Sequence, residues 1–224
     1  MKNVTITWEK RLRANQFDDN IDYLKHGGVY LWIWPGKKER ICYVGEAKKF
    51  RERFKQHFSM LLGGLYTVFN MTKKDDFVEF LKNHYHDKEF KEINRDSYIY
   101  IPVFNGEQAV SDIFERAFID SKWQDVRRNY LNTLEFVFGQ VEVDGKEADS
   151  KARREVEGAL INSLRQKYDE IAQTTLRLRN WRKPQIPIGN INRYPTDDMI
   201  IQHTGQIETQ LPEELRSIKR YSIN

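Results

Sequence analysis

Cysteine is almost missing from this sequence: Cys42 is the only one in 224 residues. That excludes an intramolecular disulfide and a zinc site built from several thiolates, and it fits a reducing compartment. Long apolar runs are missing too. Nothing approaches the roughly 18 residues of a membrane span, and the opening MKNVTITWEKRLRANQF lacks the hydrophobic segment of a secretory signal. No membrane partner is therefore expected, and a cytoplasmic location is, or a nuclear one in a eukaryote. Charge of one sign is also in short supply. Lys and Arg number 37 against 33 Asp and Glu, a net charge of +4, which permits a polyanionic partner without pointing to one. No internal repeat or low-complexity tract is present.

What is present is globular. Charged residues make up 31% and aromatics 13%, in a chain long enough to bury a core. VTITWEK (4–10) alternates like a short strand, and NQFDDNIDYLKH reads as a loop or short helix. VYLWIW (29–34) is strand material, Pro35–Gly36 makes a turn, and RICYVG (40–45) returns as a second strand. Gly45 is expected to end that strand and turn the chain toward a helix, and Gly28 to let the first strand begin. In KKFRERFKQHFSMLL, Phe50, Phe54, Phe58 and Leu61 or Leu62 recur at helical spacing, and Gly63–Gly64 stops the helix.

Farther along come a short strand in LYTVFN, an amphipathic helix over 75–91, a strand over 97–104 and a helix over 109–129. A strand with a turn follows (134–145), then a helix over 150–171, a basic loop RLRNWRKPQIPIGNINRYP, and a short helix in PEELRSI. Strands and helices interleave, so the fold class is α/β or α+β, with a mixed sheet flanked by helices.

The chemistry-bearing residues cluster in the hairpin and its helix. Tyr30, Trp32 and Trp34 share one face of the first strand, with Val29, Leu31 and Ile33 on the other. Arg53 and His57 stand four apart on one helix face. Taken singly, Tyr30 reads as a half-buried sheet aromatic, and the Arg53–His57 pair as a solvated basic stripe. Glu157 is different. At about 100° per residue it falls in the arc of Val156, Leu160, Leu164 and Ile161, where a carboxylate needs a purpose such as a metal ion or a buried ion pair with an arginine.

Read as one pattern, these pieces resemble the GIY-YIG endonuclease family. GVY (28–30) and YVG (43–45) are followed by Arg53 ten residues after Tyr43 and His57 four later, and YVGEAKKFRERFKQHF fits throughout, including Lys48, Phe50 and Phe58. The family includes phage homing endonucleases, the nuclease domain of the bacterial excision-repair incision subunit and some type II restriction enzymes. The resemblance implies a small mixed sheet flanked by helices: a core over about 25–70 and 134–195, a large insertion over about 71–133 and a C-terminal extension over about 196–224.

It also implies a catalytic set of Tyr30, Tyr43, Arg53, His57, a glutamate and an asparagine. Glu157 in REVEGALINSL is the favoured glutamate over Glu115 in DIFERAFIDSKW. Asn190 is the favoured asparagine, ahead of Asn192 and Asn180. By the same resemblance Glu157 holds Mg²⁺ (or Mn²⁺) and Arg53 holds the phosphate. Tyr30 orients or deprotonates the attacking water, Tyr43 bonds the phosphate or that water, and His57 orients neighbours or transfers a proton. Tyr30 as a base requires a pKa depressed by nearby cations.

Double-stranded DNA is the expected partner, and a homodimer is expected if both strands of a palindrome are cut. Lys38 and Arg40 in the hairpin turn, with Lys37 before them, suit the phosphate backbone. So do Arg179, Arg182 and Lys183 around Trp181. The insertion and the tail after Gln173 are the expected seats of substrate recognition. A restriction-like role is the first expectation. The rivals are a repair or mobile-element nuclease, an inactive DNA-binding module, and a metal-dependent phosphodiesterase acting on small molecules.

Overall fold

The computed structural model of the chain describes residues 1–35, 39–62, 68–69, 99–100, 121–167 and 195–223. The helix expected over 75–91, most of the strand over 97–104 and the first half of the helix over 109–129 lie outside them.

The chain divides into two compact units. The first comprises Met1–Phe54, Leu134–Asp169 and Pro187–Asn224, and is built on one mixed sheet. Strand β1 (Lys2–Leu12) pairs antiparallel with β6 (Glu135–Val143) and parallel with β8 (Met199–Thr204). Strands β2 (Gly28–Trp34) and β3 (Arg40–Ala47) form the expected hairpin, and β2 also pairs antiparallel with β6. The order across the sheet is β3-β2-β6-β1-β8-β9, with β9 spanning Arg220–Tyr221 and the short β7 (Lys146–Glu147) returning along β6. Residues 199–221, expected to extend from the core, thus supply two strands of the sheet.

Burial follows from place. All seven residues of β2 are buried, as an interior strand with both faces covered requires. In β8 the pattern alternates, with Met199, Ile201 and His203 inside and Ile200 and Gln202 exposed, as expected for a strand covered on one face. Asp144 and Gly145 make the β6–β7 turn, both at positive φ (50° and 74°), the conformation that an Asp-Gly hairpin turn favours.

Helix α1 (Phe50–Leu62) starts in the first unit and ends in the second. Its Phe50 and Phe54 pack on the sheet against Phe138 and Phe136, at ring-centroid separations of 5.0 and 5.1 Å. Residues 14–25 form three 3₁₀ turns, from which Phe17 closes the same aromatic cluster, 5.3 Å from Phe54.

The second unit comprises Lys55–Thr133 and Glu170–Ile186. Its described elements are the end of α1, an antiparallel pair β4 (Val68–Phe69) and β5 (Ile99–Tyr100), and helix α2 (Ser121–Thr133), which packs on β4. Helix α3 (Ser150–Lys167) returns the chain to the first unit. The Asp149 carboxylate caps it by accepting from the Ala152 N–H at 2.7 Å. A one-turn helix α4 (Glu213–Arg216) lies near the C-terminus.

Candidate active site

Four strand and helix positions meet on one face of the hairpin. Tyr30 pairs across the ladder with Gly45, and Trp32 with Tyr43, so all four side-chain positions share a face. The rings of Tyr30 and Tyr43 stand 5.7 Å apart, and Phe54 of α1 packs edge-on to Tyr30 at 4.9 Å. Because α1 is held down by Phe50 and Phe54, Arg53 is carried beside the two phenols. Its Nε donates to the Tyr30 hydroxyl oxygen at 3.2 Å. Arg53 also hydrogen-bonds Tyr43, and the two hydroxyls bond each other.

Gly45 makes this possible. A Cβ there would stand 2.3 Å from Cζ of Tyr30, 2.4 Å from its hydroxyl and 2.7 Å from Cε1 of Tyr43. The strand runs on to Ala47, so Gly45 does not turn the chain toward the helix as expected; it clears the space in which two phenols converge. The sequence held the signal, a glycine two residues after a strand tyrosine, but only the cross-strand register reveals what it faces. Gly28, at φ 153° with its missing Cβ directed 2.0 Å from the Gly139 carbonyl oxygen, does open the strand at a close backbone approach.

The electrostatics bear on one expected role. Burial is the main cause that pushes the Tyr30 phenol well above its ordinary range, and Tyr43 adds to it; the opposing pull of Arg53 is smaller. Tyr30 is fully buried, and that burial favours its protonated form. Burial disfavours the charge on Arg53, but the oxygens of Tyr30 and Tyr43 more than offset this, and its pKa is raised. Tyr43 is the more exposed phenol.

Glu157 is buried on α3, beside Val156, Leu160, Ile161 and Leu164. Helix α3 packs along β3 and β2. One turn before Glu157, Arg153 places its Nε 3.6 Å from Glu46 of β3, and Arg154 places its own at 3.5 Å. Glu46 alternates with Gly45 and faces away from the tyrosines. Helix α3 thus reaches the hairpin at Glu46, on the face of β3 opposite that of Gly45. Among the described residues no group of three or more His, Cys, Asp or Glu gathers as a metal cluster. One buried carboxylate suits a hard divalent ion that keeps several waters, as Mg²⁺ does.

The remaining expected residues divide simply. His57 is buried one turn beyond Arg53 on α1. Arg40 opens β3 opposite Trp34. Lys38, Arg179, Arg182, Lys183, Asn180, Asn190, Asn192 and Glu115 lie outside the described residues.

Residues 26–129 match the family model of the GIY-YIG catalytic domain. This stretch includes Tyr30, Tyr43, Arg53 and His57, contains Glu115, and ends before Glu157. No curated protein and no solved structure matches the chain. With the two motifs paired across one hairpin and the arginine of the following helix bonded to both tyrosines, residues 26–129 carry a GIY-YIG catalytic domain, the domain of a family of nucleases.

Proposed function

We propose that the protein is a divalent-metal-dependent endonuclease of double-stranded DNA, restriction-like in role and built as one GIY-YIG domain with an insertion over about 71–133. The observation that carries this reading is the bond between Arg53 and Tyr30, made within the stretch that matches the catalytic domain. A planar, permanently charged guanidinium held by two phenols is suited to phosphodiester oxygens.

Each residue then has a task. Arg53 binds the phosphate and stabilises charge as it develops there. Tyr43, the more exposed phenol, meets the attacking water or the phosphate. Tyr30 stays protonated and fixes the positions of Tyr43 and Arg53. His57 orients its neighbours or moves a proton, and Asn190 completes the set. Glu157 holds Mg²⁺ or Mn²⁺, which when bound supplies polarisation of the phosphate and the leaving oxygen. Lys38, Arg40, Arg179, Arg182 and Lys183 hold the backbone of the duplex, and two copies cut its two strands.

The test is direct. Purified protein, supercoiled plasmid and Mg²⁺ are expected to give nicked and then linear DNA, and unmethylated phage DNA to give discrete fragments. A smear would replace restriction with non-specific cutting. DNA binding without cleavage in any divalent ion would overturn the enzyme in favour of a binding module.

A further inference from the structure

The hairpin that carries both tyrosines is one residue out of step with itself. Gly28 pairs with Ala47, Tyr30 with Gly45, Leu31 with Val44 and Trp32 with Tyr43; the next pair is Ile33 with Ile41. Cys42 is therefore a surplus residue in β3 with no partner of its own across the ladder, a β-bulge. Side chains alternate with a period of two, so one residue of slip exchanges the faces of everything beyond it. Continued regularly from the turn, the ladder would set Val44 opposite Tyr30 and Tyr43 opposite Leu31. The Tyr43 phenol would then leave the face of Tyr30 for the opposite one. Gly45 would move with it, and a valine Cβ would stand where the ring of Tyr30 needs open space.

We propose that the place of the bulge sets the site: with the surplus residue absorbed at Cys42, on the turn side of Tyr43, both phenols and Gly45 share the face of Arg53, which a slip on the other side of Tyr43 would not allow. The side chain of Cys42 fits the task. It is buried, and its thiol donates to the carbonyl oxygen of Trp32 at 3.3 Å, partnering a strand carbonyl at the very place where the ladder is interrupted. Bulges recur beside active sites because they re-aim a single side chain without disturbing the strands on either side.

Two deletions of equal length separate the place of the bulge from general damage to the hairpin. Removing Cys42 takes away the surplus residue itself; every other pair keeps its partner and Tyr43 stays opposite Trp32. Removing Val44 also yields a regular ladder of the same length, with Gly45 still opposite Tyr30, but now Cys42 pairs with Trp32 and Tyr43 with Leu31. The ring-to-ring nuclear Overhauser effect between Tyr30 and Tyr43 is expected in the wild type and in the Cys42 deletion, and is expected to vanish in the Val44 deletion. Cys42→Ser, which keeps both the chain length and a donor to Trp32, is expected to keep the ring contact.

The functional part rests on the nuclease reading: plasmid cleavage should persist within about tenfold in the Cys42 deletion and in Cys42→Ser, and fall at least a hundredfold in the Val44 deletion. A folded Val44 deletion that keeps the ring contact, or a folded Cys42 deletion that loses it, overturns the proposal. Should either deletion fail to fold, the Cys42→Ser spectrum decides, and loss of its ring contact overturns it. A wild type that cuts no DNA overturns the nuclease reading alone, since the ring contact is read without catalysis.

Discussion

The guanidinium Nε of Arg53 lies 3.2 Å from the hydroxyl oxygen of Tyr30, joining helix α1 to the interior strand β2 of the sheet. The bond fixes a long side chain that would otherwise sample many rotamers, and this fixes the fork it offers to a phosphate. Arg53→Ala is expected to lower plasmid cleavage by about 10²- to 10³-fold, the scale of losing one charged stabiliser. Arg53→Lys should recover little, because an ammonium cannot span two oxygens in a plane. Thermal unfolding of both variants should move only modestly, since each of the two side-chain hydrogen bonds is worth about 1 kcal/mol.

The two phenols should not be equivalent. Tyr30 is fully buried, which favours its protonated form, while Tyr43 is partly exposed beside it. Tyr43→Phe is expected to cost more in single-turnover rate than Tyr30→Phe, by about tenfold or more, because only Tyr43 meets substrate. Equal losses, or a larger loss for Tyr30→Phe, would return the water-activating role to Tyr30.

Gly45→Ala tests the space between the rings. A methyl group 2.3 Å from Cζ of Tyr30 cannot be accommodated without moving that ring or the strand. The Tyr30 ring packs on Phe54 and its strand β2 is paired with β6, so the displacement falls on the phenol–arginine geometry. A shift of about 1 Å at a reacting group costs on the order of 10²-fold in rate. The expected result is a folded protein with intact DNA binding and a rate lower by about that factor, measured by single-turnover cleavage.

How much of this was legible in the sequence depends on range. The strand VYLWIW was legible from its β-branched and aromatic residues, and the helix around Phe50, Phe54 and Leu61 from its helical spacing, because both signals are local. So was the set Tyr30, Tyr43 and Arg53, through spacing and resemblance. The role of Gly45 was not, because it depends on a bulge that shifts cross-strand register and leaves no mark in the residue pattern. Nor was the place of the C-terminal segment. Strand β8 pairs with β1 across almost the whole chain, Ile6 opposite His203, and the Trp8–His203 hydrogen bond joins residues 195 apart; no local periodicity encodes such a partner. The burial of Glu157 was legible from a helical wheel, and its choice rested also on the resemblance.

That choice is tested by comparing two glutamates. Glu157→Gln is expected to abolish cleavage, by about 10³-fold or more, and to remove the Mg²⁺ or Mn²⁺ dependence seen when chelated wild-type protein is titrated with metal. Glu115→Gln should cut within a few fold of wild type. Glu115 lies inside the stretch that matches the catalytic domain and Glu157 beyond it, so the reverse outcome would move the metal site to the other helix.

The last prediction concerns stability and does not depend on catalysis. His203 is buried between two partners: its Nδ1 accepts from the Trp8 indole N–H at 3.0 Å, and its Nε2 stands 3.0 Å from the Ile218 carbonyl oxygen. One nitrogen must accept and the other donate, so the ring is neutral. Burial is the main cause that lowers its pKa to about 4. In the unfolded chain a histidine titrates near 6.5, so below that value the unfolded state binds the proton that the folded state refuses. The stabilisation is fully present above about pH 6.5 and is lost as the pH falls toward 4. Between pH 7 and pH 5 the loss should be about 2 kcal/mol, read from urea unfolding. His203→Gln, whose amide can accept from Trp8 and donate to Ile218, should be less stable at pH 7 and should lose this pH dependence. A variant that keeps the same drop between pH 7 and 5 would place the proton uptake on some other group.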